Sequence, residues 1–121
     1  MARSVLIVDD HAGFRAQAKA LLAVAGYEVV GEAADGASGV RVAMDLSPDV
    51  VLLDVQLPDL TGFEVVRQIR SRPDPPAIIL ISSRDAADYG GRIARSGARG
   101  FITKADLSAM ALESVLEGPA P

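Results

Sequence analysis

The chain contains no cysteine, and only one histidine stands among its 121 residues. Without cysteine, neither a disulfide nor a thiolate metal site can stabilise the fold, which fits a reducing compartment. Long apolar runs are also missing, since none approaches the length of a membrane span. No charged start followed by an apolar segment marks a secretory signal. We therefore expect a cytoplasmic protein that makes no contact with a membrane.

Grouped basic residues are scarce as well. The 12 Lys and Arg residues are outnumbered by 16 acidic residues, which gives a formal net charge of −4. The basic residues are scattered, apart from a loose group of arginines in residues 84–99 that we interpret first as a solvated helix face. Because phosphate backbones are bound by grouped Lys and Arg, this composition argues against direct binding of nucleic acid by this segment.

Apolar residues, in contrast, make up 50% of the chain, enough for the core of one domain of this length. They form short strand-like runs that alternate with helical patterns. The predicted strands are residues 4–8, 27–31, 49–54, 77–81 and 100–103. The predicted helices are residues 11–25, 35–46, 62–71, 85–96 and 106–116, the last with Asp106 as its N-cap. This alternation predicts one parallel sheet with helices on both faces.

The fourth predicted helix is the weakest, because Gly90 and Gly91 stand in its middle. Each glycine costs about 1 kcal/mol relative to alanine in a helix interior. We expect this helix to be the element that rearranges most easily, and replacement of both glycines by alanine to stiffen it. The domain is predicted to cover residues 3–117, and residues 118–121 are interpreted as the start of a linker or an end introduced by cloning.

Polar residues follow four of the five predicted strands. Asp9 and Asp10 follow the first strand, Asp54 ends the third, Ser82 follows the fourth and Lys104 follows the fifth. The carboxyl ends of parallel strands meet at one edge of a sheet, where ligands bind in open α/β folds. Three carboxylates at that edge favour a divalent cation, and Mg²⁺ suits hard oxygen ligands. Each residue also has a plainer explanation as a helix cap, a turn hydroxyl or a surface lysine, so only the combination indicates a site.

The single histidine, His11, lies directly beside the paired acids. It could be interpreted as a metal ligand or a phosphoacceptor. One histidine with aspartates at adjacent positions lacks the spacing of a ligand set, however. We therefore favour a solvent position in the first turn of the helix.

These motifs together resemble the receiver domain of two-component response regulators. The resemblance covers residues 5–116 and includes the paired acids, LLDVQLPDLTG at residues 52–62, the hydroxyl after the fourth strand and GFITK at residues 100–104. It implies a flavodoxin-like (βα)5 three-layer sandwich whose five-stranded parallel sheet has the order 2-1-3-4-5. The NarL/LuxR-like subfamily is favoured by VVGEAADG at residues 29–36 and by Ala105, where many receivers have proline.

The resemblance implies that Asp54 is the phosphoacceptor for a histidine kinase. Lys104 and Ser82 would contact the phosphoryl oxygens. Ser82 would move toward the phosphoryl group on activation, and Phe101 would then turn inward as the second switch residue. On this basis the domain is not an enzyme in the usual sense, because it catalyses only its own phosphorylation and dephosphorylation.

The resemblance also implies a Mg²⁺ site and two positions that tune the reaction. The ion would be held by Asp9, Asp10, Asp54 and the backbone carbonyl of Gln56. Gln56 and Arg84 occupy positions where members of the family adjust the rate of dephosphorylation. The resemblance further allows a homodimer on phosphorylation.

Three functions stay open at this stage. The first is control of transcription through a DNA-binding output domain that this chain does not contain. The second is a stand-alone receiver that acts in a phosphorelay or by binding a protein partner. The third is a hydrolase of the dehalogenase-like type. That class needs an Asp-x-Asp-x-Thr/Val signature after the first strand, where this chain has Asp9, Asp10 and His11.

Overall fold

Five short apolar runs form the strands of this computed structural model, which describes residues 2–118. The strands are β1 (Ser4–Val8), β2 (Glu28–Ala33), β3 (Val50–Asp54), β4 (Ala77–Ser82) and β5 (Gly100–Thr103). All neighbouring strands pair in parallel, in the order β2-β1-β3-β4-β5. The fold class and strand order are therefore confirmed. The predicted linker lies outside the described residues from residue 119 onward.

Helices cover both faces of this sheet and enclose two apolar layers. They are α1 (Ala12–Val24), α2 (Gly36–Leu46), α3 (Gly62–Arg70), α4 (Arg92–Ser96) and α5 (Ala109–Glu117). One layer packs the sheet against α2 and α3, and the other packs it against α1 and α5. Every residue of β3 is buried, as its unbroken apolar run predicts for a strand covered on both faces. No helix among residues 2–118 is long and apolar enough to cross a bilayer.

The segment after β4 differs from the predicted helix over residues 85–96. The chain forms a 3-10 turn at Ala86–Tyr89 and then the five-residue helix α4. Gly90 separates the two with φ +57° and ψ −131°, which is not a helical conformation. Glycine reaches this region without steric cost because it has no Cβ. The predicted helix over residues 85–96 is therefore wrong, and the structure removes the reason for expecting alanine at both glycine positions to stiffen it.

The start of the last helix also differs from the prediction. Ser108 is the N-cap of α5, and its hydroxyl accepts a hydrogen bond from the Ala111 amide at 3.0 Å. Asp106 instead ends a 3-10 turn that begins at Lys104. Its carboxylate accepts a hydrogen bond from the Thr103 hydroxyl at 2.6 Å. All peptide bonds of the described chain are trans, including the bond that follows Lys104.

Candidate functional site

Two buried carboxylates share one ammonium group at the carboxyl edge of the sheet. Asp9 follows β1, Asp54 ends β3 and Lys104 follows β5. The Lys104 Nζ lies 2.8 Å from Asp9 Oδ2 and 3.3 Å from Asp54 Oδ2. Like charges repel strongly where water is excluded, so the ammonium offsets a repulsion between the two acids. The structure thus brings together three of the predicted site residues.

Burial determines the protonation behaviour of this group. Asp54 is 3% exposed. Desolvation and the charge of Asp9 raise the pKa of Asp54, although the Gln56 amide at 3.2 Å and Lys104 act in the opposite direction. Burial alone would lower the pKa of Lys104, but its contacts with the two carboxylates outweigh this and raise it. The lysine therefore stays charged at neutral pH, whereas ionised Asp54 is an unfavourable charge.

The acids form a cluster with the dimensions of a cation site. One oxygen each of Asp9, Asp10 and Asp54 and one nitrogen of His11 lie within 4.8 Å of one another. Asp9 Oδ2 is buried, and the Lys104 ammonium lies 2.8 Å from it. Three ionised carboxylates and one ammonium leave two negative charges, which a divalent cation neutralises. This donor set fits Mg²⁺, which binds oxygen ligands.

Asp10 and His11 lie at the solvent edge of the cluster. Their side chains are 37% and 67% exposed, and His11 Nδ1 lies 3.1 Å from Asp10 Oδ1. The N-cap of α1 is His11, which makes no side-chain cap hydrogen bond, and its amide donates to Asp9 at 2.8 Å. Neither acid caps the helix, so the plainer explanation of the paired aspartates is wrong. His11 has the exposure that the sequence predicted.

Ser82 lies at the buried end of β4, and its hydroxyl already has two partners. The Arg84 amide donates to Ser82 Oγ at 3.0 Å, and the Tyr89 hydroxyl lies 2.6 Å from the same oxygen. Phe101 on β5 is half-buried, with its ring centroid 5.9 Å from that of Tyr89. The two residues predicted to form the switch therefore share Tyr89 as a neighbour. The sequence did not single out Tyr89, because a helix over residues 85–96 would give it no special position.

The two positions predicted to tune the reaction are both exposed at the rim of the site. The backbone N–H of Gln56 donates a hydrogen bond to Asp54 Oδ1. The backbone of Gln56 also pairs with that of Thr61 across the loop that follows β3. Arg84 contacts the site through its amide, which bonds to Ser82. Gln56 and Arg84 therefore each contact a central side chain of the site, and their rate-tuning roles stay a prediction.

The loop after Asp54 is fixed by a close backbone contact at its end and by the side chain of Asp59 within it. A Cβ at Gly62 would lie 2.6 Å from the Asp54 carbonyl oxygen, so only glycine allows α3 to begin this close to the strand. Asp59 accepts hydrogen bonds from the Gly36 amide at 2.7 Å and the Ala37 amide at 2.9 Å, at the first turn of α2. These bonds lower the pKa of Asp59. The acid therefore anchors the loop to a helix N-terminus.

Two side chains of α1 contact the site from the sheet face that α1 and α5 cover. The Lys104 Nζ lies 4.6 Å from the ring centroid of Phe14, a cation–π distance. Arg15 donates to the backbone carbonyl of Asp9 at 2.7 Å. Nothing in the sequence indicates that the Phe14 ring would face an ammonium group.

The fold and the site together define a class of protein: a doubly wound α/β domain that presents three carboxylates and one lysine at the carboxyl edge of its sheet. Residues 5–115 match the family described as the response regulator receiver domain. The chain therefore belongs to the response regulator receiver domain family.

Individual relatives agree with this assignment. The chain is 36% identical over 112 residues to the transcriptional regulatory protein LiaR of Bacillus subtilis, which covers 92% of this chain and 53% of LiaR. A LuxR-family two-component response regulator from Aurantimonas sp. superposes with a TM-score of 0.87 at 30% identity, over 99% of this chain and 89% of that one. The receiver domain of NarL from Mycobacterium tuberculosis gives a TM-score of 0.84 at 32% identity, over 98% of both chains. These neighbours confirm the NarL/LuxR-like resemblance.

The comparison also concerns length. The chain spans about half the length of the curated transcriptional regulators that it matches.

Proposed function

We propose that this receiver domain accepts a phosphoryl group from a histidine kinase on Asp54, in a reaction that depends on Mg²⁺. The observation that supports this most directly is the environment of Asp54. Its carboxylate is buried between Asp9 and Lys104 in a cluster with two uncompensated negative charges. A purely structural aspartate gains nothing from such a setting, whereas a phosphoacceptor beside a cation site requires it.

The transfer requires little covalent chemistry from the protein. A carboxylate is a weak nucleophile, but phosphoryl transfer depends chiefly on alignment and on neutralised charge. An oxygen of Asp54 forms the bond to phosphorus while the phosphorus–nitrogen bond of a phosphohistidine breaks, and the electron pair stays on the imidazole nitrogen. Asp9, Asp10, Asp54 and the backbone carbonyl of Gln56 would hold Mg²⁺, which would supply positive charge beside the phosphoryl oxygens.

The remaining site residues respond to the new group. The Lys104 ammonium, already 3.3 Å from Asp54, pairs with one phosphoryl oxygen, and the Ser82 hydroxyl donates to another. These bonds exist only in the phosphorylated state, so they shift the population of the domain toward a second packing. Phe101 turns inward in that packing. Gln56 and Arg84 set the lifetime of the phosphoryl group from the rim.

The domain, proposed to cover residues 3–117, then acts as a switch in the cytoplasm and not as an enzyme with turnover. We propose that it controls transcription through a DNA-binding output domain, because LiaR, of which this chain spans about half, is a transcriptional regulatory protein. A homodimer formed on phosphorylation is part of this proposal. A stand-alone receiver in a phosphorelay is the alternative, and the length of the complete gene product separates the two.

The phosphoacceptor is tested by incubating the protein with acetyl phosphate, with and without Mg²⁺, and by following its intact mass. We expect one phosphoryl group on the wild type only when Mg²⁺ is present, and none on Asp54→Asn. Asp45→Asn is the matched control, since Asp45 is an exposed acid of α2. Equal incorporation into Asp54→Asn, or incorporation that is independent of Mg²⁺, would contradict the proposal.

A further inference from the structure

The hydroxyl of Ser82 has a hydrogen-bond arrangement that the proposed function does not yet explain. A serine hydroxyl offers one proton and two acceptor lone pairs. The Arg84 amide can only donate, so it fills one lone pair of Ser82 Oγ at 3.0 Å. The second contact, with the Tyr89 hydroxyl at 2.6 Å, can run in either direction. Its direction decides whether the Ser82 proton is available to another group.

The chemistry of the two hydroxyls favours Tyr89 as the donor. A phenol titrates near pH 10, whereas an aliphatic alcohol does not titrate in the accessible range. The phenol is therefore the stronger donor and the poorer acceptor of the pair. With Tyr89 donating, both lone pairs of Ser82 Oγ are filled, and the one remaining capacity of this hydroxyl is to donate its own proton.

The ring of Tyr89 is held in place on both sides. Its centroid lies 5.8 Å from that of Phe63 and 5.9 Å from that of Phe101, with interplanar angles of 72° and 61°. These are edge-to-face contacts, the arrangement that aromatic pairs prefer. The Arg92 guanidinium covers the Phe63 ring at 4.4 Å and so ties α4 to the same cluster. The phenol therefore reaches Ser82 from a fixed position.

We propose that Tyr89 is a positioning residue that makes the buried Ser82 hydroxyl a donor for the phosphoryl group on Asp54. The inference rests on the proposed function, because the acceptor of the Ser82 proton is the phosphoryl oxygen. Gly90, directly after Tyr89, ends the 3-10 turn with a backbone conformation open to glycine.

The direction of the hydrogen bond can be tested without any phosphorylation. The chain has two tyrosines and no tryptophan, so Tyr27→Phe leaves Tyr89 as the single tyrosine. The intensity ratio of the tyrosine doublet in the Raman spectrum reports whether a phenol donates or accepts. We expect a donor signature in Tyr27→Phe that is lost when Ser82→Ala is added. An acceptor signature, or a spectrum that Ser82→Ala leaves unchanged, would overturn the inference.

The consequence for the reaction is tested by a double-mutant cycle in the acetyl phosphate assay. We expect Tyr89→Phe to slow phosphorylation about threefold to tenfold, the value of one hydrogen bond. In the Ser82→Ala background, Tyr89→Phe should have no further effect. Tyr27→Phe, which removes a phenol hydroxyl beside β2, is the control and should react like the wild type.

The outcomes separate this inference from the proposed function. A faster reaction of Tyr89→Phe would show that the bond restrains Ser82, and an equal loss in the Ser82→Ala background would show a merely structural role. Either result overturns the positioning role while phosphorylation of the wild type persists. Absence of phosphorylation in the wild type would contradict the proposed function, and the Raman result would then decide the direction of the Ser82–Tyr89 bond alone.

Discussion

The buried charge of Asp54 has a consequence for stability that depends on pH. Because burial and the charge of Asp9 raise the pKa of Asp54, the folded state binds its proton more tightly than the unfolded state does. The contribution of Asp54 to stability is therefore fully present below the ordinary pKa of an aspartate and is lost as the pH rises through the raised value. At pH 7 and without a divalent cation, ionised Asp54 destabilises the fold.

We therefore expect Asp54→Asn to raise Tm by a few degrees at pH 7 in the presence of EDTA. The gain should shrink as the pH is lowered toward 4, about the pKa of a free aspartate, because Asp54 of the folded state takes up its proton and no longer buries a charge. Thermal unfolding followed by circular dichroism across this range measures the difference. A lower Tm of the variant at pH 7 would show that the contacts with Lys104 and the Gln56 amide outweigh the cost of burial.

Lys104, unlike ionised Asp54, stabilises the folded state. Removing its charge by Lys104→Gln leaves Asp9 and Asp54 without their shared partner, at a cost of about 1 to 3 kcal/mol in the free energy of unfolding. Because no positive charge then competes at the site, we expect Mg²⁺ to bind more tightly than to the wild type. Urea denaturation and calorimetric titration with Mg²⁺ measure the two effects.

Lys19→Gln is the matched control for this change. Lys19 is an exposed lysine whose ammonium lies 3.3 Å from Glu32 on the protein surface. Exposed pairs of this kind contribute little to stability, so neither measurement should change much. Weaker Mg²⁺ binding by Lys104→Gln would show that the lysine helps to organise the cation site.

Among the secondary-structure elements, the break between the 3-10 turn and α4 gives the clearest prediction. Alanine at Gly90 must adopt a backbone conformation that costs about 1 to 3 kcal/mol. Gly91 has an ordinary φ of −83°, and a Cβ there would meet only the flexible end of the Arg95 side chain. We expect Gly90→Ala to speed amide exchange in residues 85–99, and Gly91→Ala to leave it nearly unchanged. Equal effects of the two substitutions would contradict this assignment.

The same region shows what the sequence could and could not predict. The five strands were found because runs such as VVLL in β3 admit few other structures, and the aspartates and lysine followed from the strand ends. The prediction of the fourth helix was wrong because Gly90 interrupts a helix only when its φ is positive, and composition does not determine φ. Asp106 was chosen as a helix cap, but the nearby Thr103 hydroxyl binds its carboxylate, and Ser108 takes that role. The contact of Tyr89 with Ser82 could not be predicted without the correct turn.

For the whole molecule, the cation site couples binding to folding. Its carboxylates come from the ends of β1 and β3, so only the folded chain presents them together. We expect Tm to rise with Mg²⁺ concentration, by an amount equivalent to about 1.4 kcal/mol at ten times the dissociation constant. Asp9→Asn should abolish the rise, and sodium chloride at equal ionic strength should not reproduce it. A rise of the same size in Asp9→Asn would place the bound ion elsewhere.

The order of the strands also has a consequence for the chain while it is being synthesised. Lys104 follows Asp54 by 50 residues, which a ribosome adds in roughly 3 to 10 s. The strand that brings Lys104 lies at the edge of the sheet, so β1 to β4 can pair before it emerges. Throughout that interval, a nascent chain with Asp9 and Asp54 already side by side lacks the Lys104 ammonium that pairs with both of them. The Mg²⁺ of the surrounding cytosol is then the counter-charge at hand, and docking of the last strand completes the charge balance of the newly made domain.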